Sequence, residues 1–99
     1  MSKPTIRVVA RLIALPEKVE ELKSILLSII EPTRQEPGCI KYELLQNNID
    51  PTDFTFIEEW ESDGTLDAHL ASANIQEALP KLEGVAAAPP DIRRYQLLM

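Results

Sequence analysis

Residues 5–15, TIRVVARLIAL, alternate between two sets of side chains. One set is wholly apolar and consists of Ile6, Val8, Ala10, Leu12 and Ala14. The other set is mixed and consists of Arg7, Val9, Arg11 and Ile13. A period of two predicts a β-strand with one face in a core. Because the second face is too apolar for simple exposure to solvent, we expect it to pack against something as well.

A helix is predicted to follow this strand. Pro16 lies in its first turn, where helices tolerate proline. Apolar side chains then recur every three or four residues, which indicates an amphipathic helix of about five turns: Val19, Leu22, Leu26, Ile29 and Thr33. Pro32 is expected to kink the helix near its end, since proline removes a backbone donor. The sequence Glu36-Pro37-Gly38 then favours a type II turn.

Residues 39–47 and 54–61 are predicted to form a hairpin of two strands, joined by turn-forming residues at 48–53. The more apolar face of the first of these strands carries Ile40, Tyr42 and Leu44. The even-numbered face of the second carries Phe54, Phe56, Glu58 and Trp60. We expect these aromatic side chains to share the helix-covered face of the sheet with Ile6, Val8, Ala10 and Leu12.

Ser62 is a suitable N-cap for a second helical region. Its predicted inward stripe consists of Leu66, His69, Leu70 and Ala73. A further helical piece contains Ile75, Ala78, Leu79 and Leu82, a loop covers 85–90, and a last strand covers 91–98. The order βαββαβ indicates a ferredoxin-like α+β fold with one antiparallel sheet and both helices on one face. No linker interrupts it, so residues 1–99 are expected to form a single domain.

Charge and composition narrow the possible partners. The net charge is −6 and the ten Lys and Arg residues are scattered, which argues against nucleic acid and anionic membranes. No apolar run approaches the ~18 residues that a membrane-spanning helix needs. The N-terminal residues lack the apolar core of a signal peptide, and Cys39 is the single cysteine, so we expect a cytoplasmic protein. One His and one Cys cannot form an ordinary structural zinc site, and no metal is predicted.

The only histidine and the only tryptophan, His69 and Trp60, are nine positions apart where a strand leads into a helix. By position alone, His69 is slightly more typical of a buried, neutral core histidine. Glu58 favours a functional interpretation, because a carboxylate on an aromatic strand face is costly to bury unless it is paired. The alternative is an end-of-strand glutamate that reaches solvent. If this face lies under the helices, Glu58 and His69 approach one cavity and form an acid/base pair.

Two further polar residues are candidates near this cavity. Tyr42 could close its polar end, although a buried tyrosine with a satisfied hydroxyl is the more common role. Asn47, near the hairpin, is on its own a turn residue. For His69, burial should lower the imidazole pKa and Glu58 should raise it. We expect the two effects to offset, so that His69 titrates near neutral pH.

Four segments together resemble the antibiotic biosynthesis monooxygenase family, and they span the chain from about Ile6 to Leu98. These are Glu36-Pro37-Gly38-Cys39-Ile40-Lys41-Tyr42-Glu43, Phe54…Glu58-Glu59-Trp60, Leu66-Asp67-Ala68-His69 and Ile92…Tyr95-Gln96-Leu97. Each segment is weakly specific alone, whereas their order and spacing together are more so. The resemblance implies a dimeric α+β barrel, in which two sheets pack face to face with the helices outside.

The resemblance also implies an activity and a set of site residues. Characterised members include cofactor-free oxygenases, in which a deprotonated phenol or quinol passes an electron to oxygen with help from Trp, Asn and His side chains. Trp60 and His69 match the family's Trp and His, and Asn47 is a weaker match. Many relatives carry a second histidine in a Ser-Pro-His-Phe-like segment, where this chain has Ser72-Ala73-Asn74-Ile75. Asn74 remains able to donate a hydrogen bond there.

The expected function is therefore a small, cofactor-independent monooxygenase for a quinol or phenol. His69, held by Glu58, would act as the base, while Trp60, Phe54, Phe56 and Leu66 would wall the ring, with Tyr42 at the polar end. Asn47 or Asn74 would hold the developing oxyanion. The alternatives are a non-catalytic dimeric binding module for a small aromatic ligand and an isomerase-type or haem-degrading relative. Haem degradation ranks lowest, because that branch calls for an asparagine on the first strand, and residues 5–15 contain none.

Overall fold

The computed structural model describes residues 4–99, and the predicted βαββαβ order is confirmed. Strands and helices follow one another as β1 (Ile6–Ile13), α1 (Val19–Ser28), α2 (Ile30–Arg34), β2 (Cys39–Gln46), β3 (Asp53–Trp60), α3 (Asp63–Leu70), α4 (Ala73–Ala78) and β4 (Asp91–Tyr95). Short 3₁₀ turns at Pro16–Lys18 and Leu79–Leu82 precede α1 and follow α4. The architecture is an α+β ferredoxin-like fold.

The sheet has the strand order β2-β3-β1-β4, and every neighbouring pair is antiparallel. In its register Val8 and Tyr42 lie on either side of Glu58, so all three side chains point to the same face. That face is the buried one: Val8, Tyr42 and Glu58 are 1%, 3% and 4% exposed. The predicted helix-side set of Phe54, Phe56, Trp60 and Tyr42 with the even-numbered side chains of β1 is confirmed.

The prediction for Ile40 was wrong. The register between β2 and β3 shifts between Cys39 and Lys41, so the strand contains a bulge at this point. A bulge inserts one unpaired residue and changes which side chains face the core. Cys39 packs against the core instead, and Ile40 is 51% exposed.

The predicted kink in the first helix is confirmed. α1 ends at Ser28, and α2 begins at Ile30 and contains Pro32. Proline has no N–H, so the Ser28 carbonyl four residues earlier cannot receive its usual helical hydrogen bond. The predicted inward stripe survives the break, because Leu22, Leu26, Ile29 and Thr33 are all buried.

α3 begins with the predicted Ser62 cap, whose side chain accepts a hydrogen bond from the Thr65 backbone N–H. Leu66 and His69 are buried as expected, but Ala73 does not belong to their stripe. It is exposed and begins α4 after a break, because Ser72 caps a new helix. The last strand is also shorter than the predicted 91–98, since pairing with β1 ends at Tyr95. None of the helices within residues 4–99 is long and apolar enough to cross a bilayer.

A close contact joins the turn before β2 to α3. Gly38 has a positive φ of 83°, and a Cβ added there would lie 2.5 Å from Thr65 Cβ. Gly84 has a similar φ of 76°, but no atom lies within 4 Å of its added Cβ. Both glycines are required for the left-handed backbone. Gly38 is also required for packing, because a Cβ there would meet Thr65.

We therefore predict that Gly38→Ala destabilises the protein more than Gly84→Ala. Both variants carry a left-handed backbone cost of about 1–2 kcal/mol. Gly38→Ala adds an overpacking cost of about 1–3 kcal/mol against Thr65. Urea denaturation of both variants measures the difference, and equal losses of stability would contradict the Thr65 contact.

Candidate functional site

An apolar cavity lies between the helices and the sheet. Its walls come from α1, the end of α3, the α4 region and the sheet, and include Leu26, Leu70, Ile75, Ala10 and Phe56. Pro90 and Ile92 lie on the β4 side. The enclosed volume of the cavity is about 70 Å³, and the empty volume that includes its opening to solvent is about 560 Å³. Three titratable side chains line it, namely Tyr42, Glu58 and His69.

Glu58 is held by its neighbour on the same face of β3. The Trp60 indole Nε1–H donates to Glu58 Oε1 at 2.8 Å. Burial disfavours the charged carboxylate and raises the Glu58 pKa to about 7, although the Trp60 hydrogen bond opposes the shift. Glu58 therefore exchanges protons in the physiological range, as an acid/base group requires.

His69 lies against the aromatic side chains of the sheet. Its ring stacks on Trp60 with centroids 4.6 Å apart, and it meets Tyr42 edge-on at 5.5 Å. Burial lowers the His69 pKa, and this effect outweighs the hydrogen bond and charge of Glu36, which raise it. The predicted offset is therefore incomplete, and a neutral imidazole is favoured at neutral pH.

The expected pairing of His69 with Glu58 was wrong. His69 Nδ1 lies 2.8 Å from Glu36 Oε1, in the turn that precedes β2. Glu58 instead bonds to Trp60, because both side chains project from the same face of one strand. Sequence reasoning had assigned Glu36 only to a turn. Its partner is 33 positions away, and no spacing along the chain signals such a contact.

Thr33 is a second polar residue that the sequence did not identify as part of the site. Its side chain is fully buried and accepts a hydrogen bond from Asn74 Nδ2 at 3.0 Å. Burial raises the Tyr42 pKa, and this effect is larger than that of a hydrogen bond with Thr33, which lowers it. Tyr42 therefore stays protonated, with its hydroxyl able to donate.

The remaining predicted residues occupy other places. Asn47 lies at the hairpin, where it bonds Asp53 and accepts from the backbone N–H groups of Ile49 and Asp50. Trp60, Phe54 and Leu66 are buried in the core without lining the cavity. Asn74 does not line it either, since its amide points to Thr33. Tyr42, Phe56, Glu58 and His69 are the predicted residues that the fold brings together around one space.

Within residues 4–99, no three or more His, Cys, Asp or Glu side chains are grouped so that they could hold a metal ion. Cys39 packs beside the site, and burial raises its pKa, so the thiol form is favoured.

The raised pKa of Glu58 predicts a pH dependence of stability. A raised folded-state pKa gives stability that is complete below the unfolded pKa of about 4.5 and is lost as pH rises through about 7. Glu58→Gln keeps an acceptor for Trp60 but has no charge to bury. Relative to the wild type, the free energy of unfolding of this variant should therefore rise by about 1–3 kcal/mol between pH 5 and pH 8.

Urea denaturation at both pH values measures this gain. Glu61→Gln is the matched control, because Glu61 is exposed just beyond the strand. An identical pH response in the wild type and in Glu58→Gln would show that Glu58 is not desolvated.

Comparisons with known proteins agree with this architecture. The sequence profile described as antibiotic biosynthesis monooxygenase matches residues 5–81. Over 82 residues the chain is 33% identical to "Uncharacterized protein sll1783" of Synechocystis sp., covering 83% of this chain and 56% of that protein. It therefore spans little more than half the length of that relative.

Two further relatives are matched over most of their length. The chain is 29% identical over 82 residues to "Putative monooxygenase YcnE" of Bacillus subtilis, covering 83% of this chain and 86% of that protein. The crystal structure of PA3566 from Pseudomonas aeruginosa superposes with a TM-score of 0.93 at 25% identity, over 100% of this chain and 99% of that one. Since the family profile covers well over half of its residues, this chain belongs to the antibiotic biosynthesis monooxygenase family.

Proposed function

We propose that this protein is a cofactor-independent monooxygenase that oxidises a quinol or phenol with molecular oxygen. The observation that carries the proposal is a cavity with an almost entirely apolar wall that ends in Tyr42, Glu58 and His69. Such a cavity suits a flat aromatic ring with a hydroxyl group at one end. The family match and the name of the Bacillus relative, which describes a monooxygenase, support the same class of reaction.

The proposed chemistry balances without a separate reductant. A neutral His69 accepts the proton of the substrate hydroxyl, and the O–H electron pair stays on oxygen as a phenolate. The phenolate passes one electron to O₂, and recombination of the two radicals forms a carbon–oxygen bond. The peroxide anion formed in this way takes the proton back from His69 and becomes a hydroperoxide. The C–H bond at the oxygenated carbon and the O–O bond then break, so one oxygen atom stays as a carbonyl and the other leaves as hydroxide, which the C–H proton converts to water. All four electrons come from the substrate.

The surrounding groups suit this step. The protonated Tyr42 hydroxyl can donate to the developing oxyanion, and hydrogen bonds of this kind stabilise charge strongly in a dry site. Trp60 supports the flat face of the imidazole and keeps it from tilting. Phe56 packs against Tyr42 at a centroid distance of 4.9 Å and forms the aromatic wall that a substrate ring would contact.

The shape of the cavity limits the substrate. The enclosed space of about 70 Å³ is smaller than typical small-molecule sites of about 300–1,000 Å³, so a substrate ring would extend from this interior into the opening to solvent. Its narrow interior favours planar rings without charged substituents, because the apolar wall offers no partner for a charge.

Aerobic incubation with reduced naphthoquinols and anthrones, followed by absorbance, tests the proposal. Removing a general base typically lowers the rate about 10²–10⁴-fold, whereas binding through the aromatic wall should survive. We therefore expect His69→Ala and His69→Gln to lose turnover with little change in affinity. Full turnover in both variants would show that His69 is only a packing residue.

The alternatives predict different results in the same experiment. Tight binding with no oxidation above the uncatalysed rate would indicate a binding module. A Soret shift on addition of haem, without quinol oxidation, would favour a haem-degrading relative.

We also propose that the active form is a homodimer in which two sheets pack face to face. The sheet face away from the helices carries Val9, Ile13, Leu45, Ile57 and Tyr95. Leu45 and Tyr95 are each 48% exposed on it. Arg7 Nε on this face is buried and lies 3.6 Å from Glu59 Oε1, too far for a hydrogen bond, and a facing sheet would offer it a closer acceptor. A second copy satisfies these groups by the commonest closed symmetry, with a total buried area of about 1,200–2,000 Å².

We predict that Ile57→Glu dissociates this dimer, because it places a charge in the middle of the sheet-to-sheet contact. Sedimentation at micromolar concentration measures the oligomeric state. Leu27→Glu is the matched control, since Leu27 is 53% exposed on α1, on the helix side of the sheet. A monomeric wild type under the same conditions would remove the proposal.

A further inference from the structure

His69 lies at the boundary between two spaces. It lines the apolar cavity and also an outer groove. The other residues that line the groove include Glu36, Pro37, Thr65, Ala68 and Ser72. Glu36 lines the groove and does not line the cavity. Its side chain is 19% exposed, whereas that of His69 is 3% exposed. The pair therefore connects a dry interior to a solvated surface.

The two nitrogens of the His69 ring have different surroundings. Nδ1 lies 2.8 Å from Glu36 Oε1, which is a hydrogen bond of charge-assisted length. An ionised carboxylate can only accept, so a neutral imidazole bonded to it must carry its proton on Nδ1. Nε2 is then an acceptor, and it has no hydrogen-bond partner among residues 4–99.

We propose that Glu36 is the positioning residue of this site: it fixes His69 in the Nδ1–H tautomer and turns Nε2 into a base that faces the cavity. This inference rests on the proposed function and adds to it the residue that makes His69 competent. A carboxylate that orients a histidine in this way also stabilises the imidazolium that forms when the base takes a proton.

In the proposed step the substrate O–H bond breaks and its proton forms a bond to Nε2. The O–H electron pair remains on the substrate oxygen. The imidazolium is held as an ion pair with Glu36 until Nε2–H returns its proton to the peroxide anion, which becomes a hydroperoxide. Loss of the C–H proton at the oxygenated carbon then breaks the O–O bond, and that proton leaves with the departing hydroxide as water. The proton stays on the His69 ring and does not pass to Glu36, and the His69–Glu36 pair ends the cycle as it began.

The chain is suited to a direct test, because His69 is its only histidine. Nitrogen-15 NMR of the wild type reports the tautomer and pKa of this one ring without any substrate. We expect the Nδ1–H tautomer at neutral pH. In Glu36→Gln the pKa of His69 should fall below that of the wild type, because a neutral amide removes the charge that favours the imidazolium.

Other titratable groups surround this pair, namely Glu58 and Tyr42 from the sheet and Cys39 beside the turn. Titration of Glu58→Gln in parallel separates the effect of that carboxylate from the effect of Glu36. Glu20→Gln is the matched control for Glu36→Gln, since Glu20 is exposed on α1, and it should leave the ring unchanged.

With an oxidisable quinol, Glu36→Gln should lower kcat about tenfold or more while KM changes little. The rising limb of kcat/KM should move to lower pH, following the lower pKa of His69. Glu36→Asp keeps the charge and should retain the wild-type tautomer if the shorter side chain reaches Nδ1. A merely structural role would reduce stability without moving the pH profile.

The results separate the two proposals. An Nε2–H tautomer in the wild type, or an unchanged His69 pKa in Glu36→Gln, would overturn the role of Glu36 whether or not a substrate is found. The expected tautomer and pKa shift together with unchanged kcat would overturn its part in the reaction. If no quinol or anthrone is oxidised by the wild type, the proposed function fails, and the NMR result alone decides the assignment of Nε2.

Discussion

Strand β3 is hydrogen-bonded along both edges, which fixes its register, and the pleat then places its even-numbered side chains on the face under the helices. This constraint brings the Glu58 carboxylate into the core together with Phe56 and Trp60. A buried carboxylate needs a donor, and the indole N–H two residues along the same strand provides it at 2.8 Å. The His69 ring stacks on the same indole. One local hydrogen bond therefore fixes the acid and the support for the base together.

Much of the fold could be predicted from the sequence because each element has a clear period. The alternation of residues 5–15 correctly placed β1, and the three- and four-residue spacing placed the buried face of α1 and α2. The wrong predictions lie where the alternation of a strand is interrupted locally or where the end of a strand depends on the length of its neighbour. The bulge in β2 turns the Ile40 side chain away from the core. The alternation along one strand contains no signal for such an extra residue. β4 was predicted to continue to Leu98, but β1 offers it pairing only as far as Tyr95.

The candidate site could be predicted in part for the same reason. Polar residues on apolar faces stand out, so Glu58, His69 and Tyr42 were identified from the sequence as cavity groups. Glu36 was missed because proline and glycine after it explain the turn fully, and its contact with His69 depends on how closely that turn approaches α3. Asn47 shows the opposite case. Its amide is engaged by Asp53 and by the backbone of the hairpin loop, which local turn chemistry had already indicated.

Burial favours the uncharged form of both Glu58 and His69. It raises the pKa of the Glu58 acid to about 7 and lowers the pKa of the His69 base, so a neutral imidazole persists at neutral pH and a neutral Glu58 is favoured below about pH 7. A phenolate formed beside them would then meet no competing negative charge inside the cavity, whereas an ionised Glu58 would repel it. The carboxylate that balances the new imidazolium is Glu36, which lies in the solvated groove where a charge is less costly. Below about pH 7 the interior of the site is therefore neutral until the proton moves, and the carboxylate that balances the imidazolium lies outside it.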